Sequence, residues 1–184
     1  MANRTTSIIP TGTWIVDAAH SSVGFAVKHM GIANVRGKFT EFEGTLEVGE
    51  DLASSSASGS VKVASITTDE EQRDEHLRSA DFFNVEEFPE ITFESTLVEA
   101  IDDESTSVVG NLTMHGVTQE VKLKAVAQGT DVDPWGKERV GVEVVGVLKR
   151  SDFDMKFNQA LGSGNVVVGD RVNMSLDISA VRQG

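Results

Sequence analysis

Cysteine is absent from this chain of 184 residues. Disulfides, thiolate metal sites and cysteine nucleophile chemistry are therefore excluded. No staple is needed: a chain of this size buries about 70% of its extended surface, enough for a core without cross-links. Positive charge is scarce, with 16 Lys and Arg against 29 Asp and Glu and a formal net charge of −13. No basic stripe is visible along the chain, so the phosphate neutralisation that supplies most nucleic-acid affinity is missing. The same balance disfavours stable docking on anionic membranes. Long apolar runs are also lacking, and nothing approaches the roughly 20 residues that cross a bilayer. The first residues, MANRTTSIIPTGTW, carry one Arg and no signal-length apolar stretch. The chain as read is expected to be cytoplasmic, although a secreted chain trimmed of its signal would read the same.

Period-two alternation is what the sequence does contain. Val23, Phe25, Val27 and His29 share one face, opposite Ser22, Gly24, Ala26 and Lys28. Val35 to Val48 reads as one long strand, with Phe39 out of phase and a bulge or bend expected near Thr40–Glu41. Further alternating runs lie around Val61, Ile91–Leu97, Val108–Met114, Val121–Ala127, Val140–Leu148 and Val172–Ala180. His115-Gly116 is a tight connection, and Ser54–Gly59 reads as a low-complexity, flexible turn. About eight or nine strands with short connections predict an antiparallel sandwich or barrel, and the long strands favour the barrel. One helix interrupts the pattern, with Thr68 as N-cap, Glu71 completing a capping box, and an end near Ser79. The whole chain, 1–184, reads as a single domain with its core at about 12–181.

Catalytic and cofactor motifs are missing. There is no G-x-G-x-x-G, no P-loop and no G-x-S-x-G elbow, so no cofactor is expected and the chain reads as a binder rather than an enzyme. Asp17, His20 and Ser21 or Ser22 lie on one extended segment whose side chains diverge. His20, His29, His76 and His115 leave a metal-assisted enzyme as an alternative, requiring at least three of them to converge on one ion. A third alternative is a filled barrel acting through its acidic surface. Small residues at Gly24, Ala26, Gly44, Gly110, Ala125, Ala127 and Gly146 either leave a tunnel in an eight-stranded barrel or merely admit large neighbours. Nine Phe suit contact with an apolar ligand, and equally suit plain core packing. Arg73 and His76 share a helix face, placed to meet a polar head group or to pin the helix.

Several runs occur together in a fixed order. Trp14-Ile15-Val16-Asp17 precedes Ala19-His20-Ser21-Ser22-Val23 and Phe25-Ala26-Val27-Lys28-His29-Met30. Arg73-Asp74-Glu75-His76-Leu77, Asp81-Phe82-Phe83 and Pro89-Glu90-Ile91-Thr92-Phe93 follow. Then come Gly110-Asn111-Leu112-Thr113, His115-Gly116-Val117-Thr118, Arg150-Ser151-Asp152-Phe153 and Val168-Gly169-Asp170. Together they resemble the YceI-like family of polyisoprenoid-binding proteins over about residues 12 to 181. The resemblance implies an all-β, antiparallel, eight-stranded, lipocalin-like barrel with one short helix beside it. It also implies a polyisoprenoid or other long-chain lipid held in an apolar tunnel, without stable membrane insertion. Expected ligand contacts are Phe25, Val27, His29, Phe39, Phe42, Arg73, His76, Leu77, Phe82, Phe83, Phe93, Leu112, Met114, Leu148 and Phe153. The resemblance further raises secretion and a homodimer, neither of which is written in these residues. One departure concerns the late motif: many relatives have Gly after its Asp-Phe, whereas Asp154 stands here.

Overall fold

The structure, a computed structural model, describes residues 6–184; the first five, on which the reading of the amino terminus partly rests, lie outside it. Eleven strand segments form one antiparallel sheet. They are β1 (Gly12–Val16), β2 (Ser22–His29), β3 (Ala33–Phe39), β4 (Phe42–Val48), β5 (Ser56–Lys62), β6 (Ile66–Thr67), β7 (Glu90–Ala100), β8 (Ser105–Met114), β9 (Val117–Val132), β10 (Glu138–Lys149) and β11 (Val168–Arg182). One helix, α1 (Glu71–Arg78), sits between β6 and β7.

Pairing reduces these segments to an eight-stranded barrel. β1 pairs with β4 and β2 with β3, so β1–β2 and β3–β4 are two broken strands lying side by side. β4, β5, β7, β8, β9, β10 and β11 then follow in ring order. β11 closes the ring on β1 through Trp14↔Arg182, Ile15↔Val181 and Val16↔Ala180. Closure removes the unpaired edges that an open sheet exposes. It also gives every strand a distinct inner and outer face, which is what the alternation encodes.

The long strand expected over 35–48 is in fact two. The chain breaks at Thr40–Glu41, where the Thr40 amide turns to the Ser65 carbonyl at 3.3 Å and the Glu41 amide to Ser65 Oγ at 3.0 Å. This break is the physical content of the phase change at Phe39. Ser56–Gly59, expected to be part of a flexible turn, belongs instead to β5. β4 pairs with the whole of this stretch and β7 with it from Ser58 onward, and that outweighs the poor strand propensity of Ser and Gly.

The helix also starts later than its sequence suggests. Asp69 takes a left-handed φ of 61°, which separates Thr68 from the helix. Glu70 is the N-cap and accepts from the Arg73 amide at 2.6 Å. Thr68 is claimed from inside the helix: its amide and hydroxyl both donate to buried Asp74, at 2.8 and 2.6 Å. Leu77 packs against the buried cluster Phe39, Val63 and Ile66, fixing α1 over one end of the barrel. At that end the tight connection His115-Gly116 has positive φ at both residues, as a two-residue hairpin turn requires.

Asp154, the departure in the late motif, keeps the turn that Gly would favour. It adopts φ 61°, ψ 21° and ends the short 3₁₀ turn Arg150–Phe153. Asp is among the few side chains that tolerate this region.

Two predictions follow from these local arrangements. Replacing Asp154 by Gly should relieve left-handed strain and raise stability by roughly 0.5–1 kcal/mol, read as a higher urea midpoint. The second concerns Asp17, at the break between β1 and β2. Its carboxylate accepts from Arg139 Nη1 at 2.8 Å and lies 2.7 Å from His20 Nδ1. These contacts, Arg139 first, hold its pKa at about 2 against an ordinary 3.8. A carboxylate depressed on folding contributes stability that is complete above its unfolded pKa and lost as pH falls through the folded one. Urea midpoints of the wild type should therefore fall between about pH 4 and pH 2 more steeply than those of Asp17→Asn.

Candidate functional site

The barrel is hollow. Side chains are closely packed at its two ends and leave an internal cavity of about 370 Å³ between them. At one end Trp14 is fully buried with Val140, Val142 and Ala180, and Ile9 and Leu46 pack around this group. Trp14 Nε1 donates to the Pro10 carbonyl at 3.0 Å, and the Arg182 guanidinium lies 5.9 Å from the ring centre. Arg182 also donates to Glu138 at 2.8 Å and to the Thr11 carbonyl. At the other end Leu112, Met114, Leu148, Phe153 and Met155 form a second cluster, and α1 with Phe83 lies beside it.

Between the ends, inward residues border open space. Val23, Leu123, Val144, Met174, Leu176 and Ile178 all face the cavity, and none is fully buried. Their outward neighbours Lys122, Lys124, Val145 and Ser175 are exposed, so the alternation separates a greasy interior wall from a solvated exterior.

Small residues have two distinct roles. Gly44, Ala125 and Ala127 border the cavity from the inward phase, whereas Gly24 borders it only with its backbone, from the outward phase of β2. Gly110 and Gly146 instead lie under large inward side chains. A methyl group at Gly110 would come 2.6 Å from the Phe93 ring and 2.4 Å from the Glu94 carbonyl oxygen. One at Gly146 would come 2.6 Å from Leu123 Cδ2. Gly37, on β3, lies directly under Phe25 in the same manner, at 2.4 Å. A ring laid across a cross-strand glycine stays close to the wall, which leaves the barrel axis clear. Ala26 sits on the outer face, opposite Arg36 and Asn173.

Eleven of the fifteen expected contacts border the cavity: Phe25, Val27, Phe39, Phe42, Leu77, Phe82, Phe83, Phe93, Leu112, Met114 and Leu148. The other four do not. Phe153 is 1% exposed and packed into the end cluster. His29 is exposed at the end of β2. Arg73 pins the helix: its Nε donates to Thr68 Oγ1 at 2.7 Å and its Nη2 to the Thr68 carbonyl at 2.9 Å. His76 lies 2.9 Å from Asp81 and meets the Phe82 and Phe157 rings edge-on.

Arg150 was missed by the pattern of the sequence. It is 5% exposed, borders the cavity, and makes no ion pair with a carboxylate among the described residues. Nε donates to Gly169 at 2.9 Å, Nη1 to Met155 at 2.8 Å and Nη2 to Val168 at 3.1 Å, all to carbonyls. The guanidinium stands 5.9 Å from the Phe82 ring centre. Burial lowers its pKa, with Asp170 acting weakly the other way. In the sequence it is marked by phase, two residues after the inward Leu148, and by its place at the head of the Arg150-Ser151-Asp152-Phe153 run.

The four histidines do not converge. His20 is with Asp17, His76 with Asp81, and His115 Nδ1 lies 3.0 Å from the Phe153 carbonyl. No cluster of three or more metal-capable side chains occurs among the described residues. Ser21 Oγ donates to the Ser179 carbonyl at 3.2 Å and accepts from its amide at 2.9 Å, so it serves the strand rather than the Asp17–His20 pair. No helix among the described residues is long and apolar enough to cross a membrane.

Comparison with known proteins agrees with this geometry. A model of the YceI-like domain matches residues 14–180. A UPF0312 protein of Pseudomonas aeruginosa is 37% identical over 168 residues, 91% of this chain and 84% of the relative. The crystal structure of a Campylobacter jejuni YCEI protein is 31% identical, with a TM-score of 0.70, covering 91% of this chain and 96% of that one. A polyisoprenoid-binding domain from Saccharophagus degradans shares the fold at 15% identity, with a TM-score of 0.70 and coverage of 95% and 100%.

The glycines beneath large side chains supply a test of the hollow wall. Gly110→Ala should cost roughly 1–3 kcal/mol by displacing Phe93 and the β7 backbone. Gly162→Ala, which meets nothing within 4 Å, should be close to neutral in the same denaturation assay.

Proposed function

This chain belongs to the YceI-like family, and from that membership and its hollow barrel we propose that it holds one long-chain isoprenoid or similar amphiphilic lipid and acts as a carrier. The observation that carries this reading is the cavity itself: inward apolar residues line a void of about 370 Å³ instead of filling it. That volume falls in the range of small-molecule pockets, roughly 300–1,000 Å³. A 12-residue strand such as β10 extends about 40 Å and, tilted as barrel strands are, gives an axis of about 30 Å. The shape suits an extended chain better than a compact ligand. Burial at about 25 cal/mol per Å² lets such a tail bind tightly with few hydrogen bonds.

The polar end of the ligand is assigned to the Arg150 end. A guanidinium carries five N–H groups, and three carbonyls occupy three of them. The cation is buried without a carboxylate, so a phosphate, carboxylate or quinone oxygen there would offset its desolvation. A polyisoprenoid-binding relative of the same fold supports the ligand class. The family likeness supports binding rather than catalysis.

Native mass spectrometry of the purified protein, followed by organic extraction, tests this reading. A stoichiometric extra mass that extracts as a long-chain amphiphile is expected. Ala125→Phe, which places a ring in the cavity beside Val144, should fold with an unchanged circular dichroism spectrum and lose that mass. Apo wild-type protein that also fails to take up added polyprenyl lipid would overturn the proposal.

A further inference from the structure

We propose that the outer face of the sheet formed by β9, β10, β11, β2 and β3 is a docking surface for anionic membrane, at which the carried lipid is exchanged. This rests on the carrier reading for its purpose, but the surface is argued from its own residues.

The cations of this acidic chain are not spread evenly. Lys28 on β2, Arg36 and Lys38 on β3, Arg171 on β11, Lys149 on β10, and Lys122 and Lys124 on β9 are all exposed. Strand register assembles them. Across one row, Lys38 faces Gly24, Gly24 faces Ser175, Ser175 faces Val145, and Val145 faces Lys124. In the next row Arg36 faces Ala26, then Asn173, then Val147. Lys149 pairs directly with Arg171 above them. The face thus has basic margins and a centre of small side chains with two exposed valines, Val145 at 41% and Val147 at 48%. Against its seven cations stand four carboxylates, Glu120, Asp131, Glu143 and Asp177, on the same faces of β9, β10 and β11. Asp170 and Asp102 bear on Lys149 and Lys124. None of the seven cations makes a salt bridge among the described residues, whereas Arg139, at the far end of β10 on the same face, and Lys62, Lys156 and Arg182 all do.

Apolar residues crown this face. At the β2–β3 hairpin tip Ile32 is 77% exposed and Met30 38%. The tip is held by the 158–168 segment, through Met30 N to the Val167 carbonyl at 3.0 Å and Asn165 Nδ2 to the Met30 carbonyl at 3.2 Å. Beneath it Val27, Val168 and Val172 border the cavity. Clustered cations with an exposed apolar tip match an anionic bilayer surface, where each Lys or Arg adds attraction and the apolar residues enter the interface. The net charge of −13 does not oppose this at physiological salt, since charges beyond about 8 Å are largely screened and the local balance decides.

Vesicle flotation with intact protein tests the inference, using phosphatidylcholine vesicles with and without about one-third phosphatidylglycerol. Binding only to the anionic vesicles is expected, weakening at least tenfold as salt rises from about 0.05 to about 0.3 M. Arg36→Glu combined with Lys38→Glu, Lys122→Glu and Lys124→Glu should weaken it by about tenfold or more, while Lys137→Glu leaves it unchanged. Ile32→Ser, which removes the apolar contact and adds no charge, should weaken it without altering the salt dependence. Urea midpoints and extracted lipid, measured on the same samples, separate loss of the surface from loss of fold or tunnel. Failure of the wild type to bind anionic vesicles overturns the inference whatever the tunnel holds. So does binding indifferent to the fourfold variant, or preferential capture by heparin or duplex DNA without vesicle binding.

Discussion

Three backbone pairs, Trp14↔Arg182, Ile15↔Val181 and Val16↔Ala180, close this sheet into a tube, and the rest of the structure depends on them. Without that seam β1 would be an open edge and the ladder would no longer run round the barrel, although β11 would keep its pairing with β10 and β2. Each side of the seam is locked by more than the ladder. Trp14 is buried in the end cluster, and Arg182 stacks over it while binding Glu138 and the Thr11 carbonyl. Close by, Arg139 joins Asp17, at the end of β1, to Asp133, in the turn between β9 and β10. The charged contacts therefore gather where the barrel must stay shut.

Closure alone does not make a tunnel, because an eight-stranded barrel is narrow enough for side chains to fill. Here the filling is confined to the ends. Phe25 over Gly37 and Phe93 over Gly110 hold two large rings against the wall. Ala57 and Gly59, the inward positions of this part of β5, give it an almost bare inner surface along the cavity, while Ser56 and Ser58 are exposed. Leu77 of α1, with Phe82 and Phe83 beyond it, borders the cavity where the helix packs. Arg150, the one deeply buried guanidinium among the described residues, stands at that same end, so the chemical polarity of the tunnel follows its construction.

Much of this was legible along the chain. Alternation marked the inward faces of β2, β8, β9, β10 and β11 because strand geometry repeats every two residues whatever the partner. The phase change at Phe39 announced the break at Thr40–Glu41. The helix was visible, but its cap was misplaced: Thr68 suits the role as well as Glu70 does, and only the left-handed Asp69 decides between them. Ser54–Gly59 read as a turn because its residues have poor strand propensity, and nothing local shows that β4 and β7 flank it. Arg73 and His76 have the right chemistry for a head group, yet Thr68 and Asp81 claim them first.

The sequence by itself determined the all-β class, the inward and outward faces, the helix and the family, because each is carried by short-range periodicity or by local motifs in order. Tertiary structure decided what depends on register between distant strands. Closure needs residues 14–16 beside 180–182, and whether Phe93 fills the tunnel or lies flat depends on Gly110 coming beneath it. The basic face is the plainest case. Lys38 and Lys124 are far apart in a chain that shows no basic stripe, and five strands must align before they share one surface.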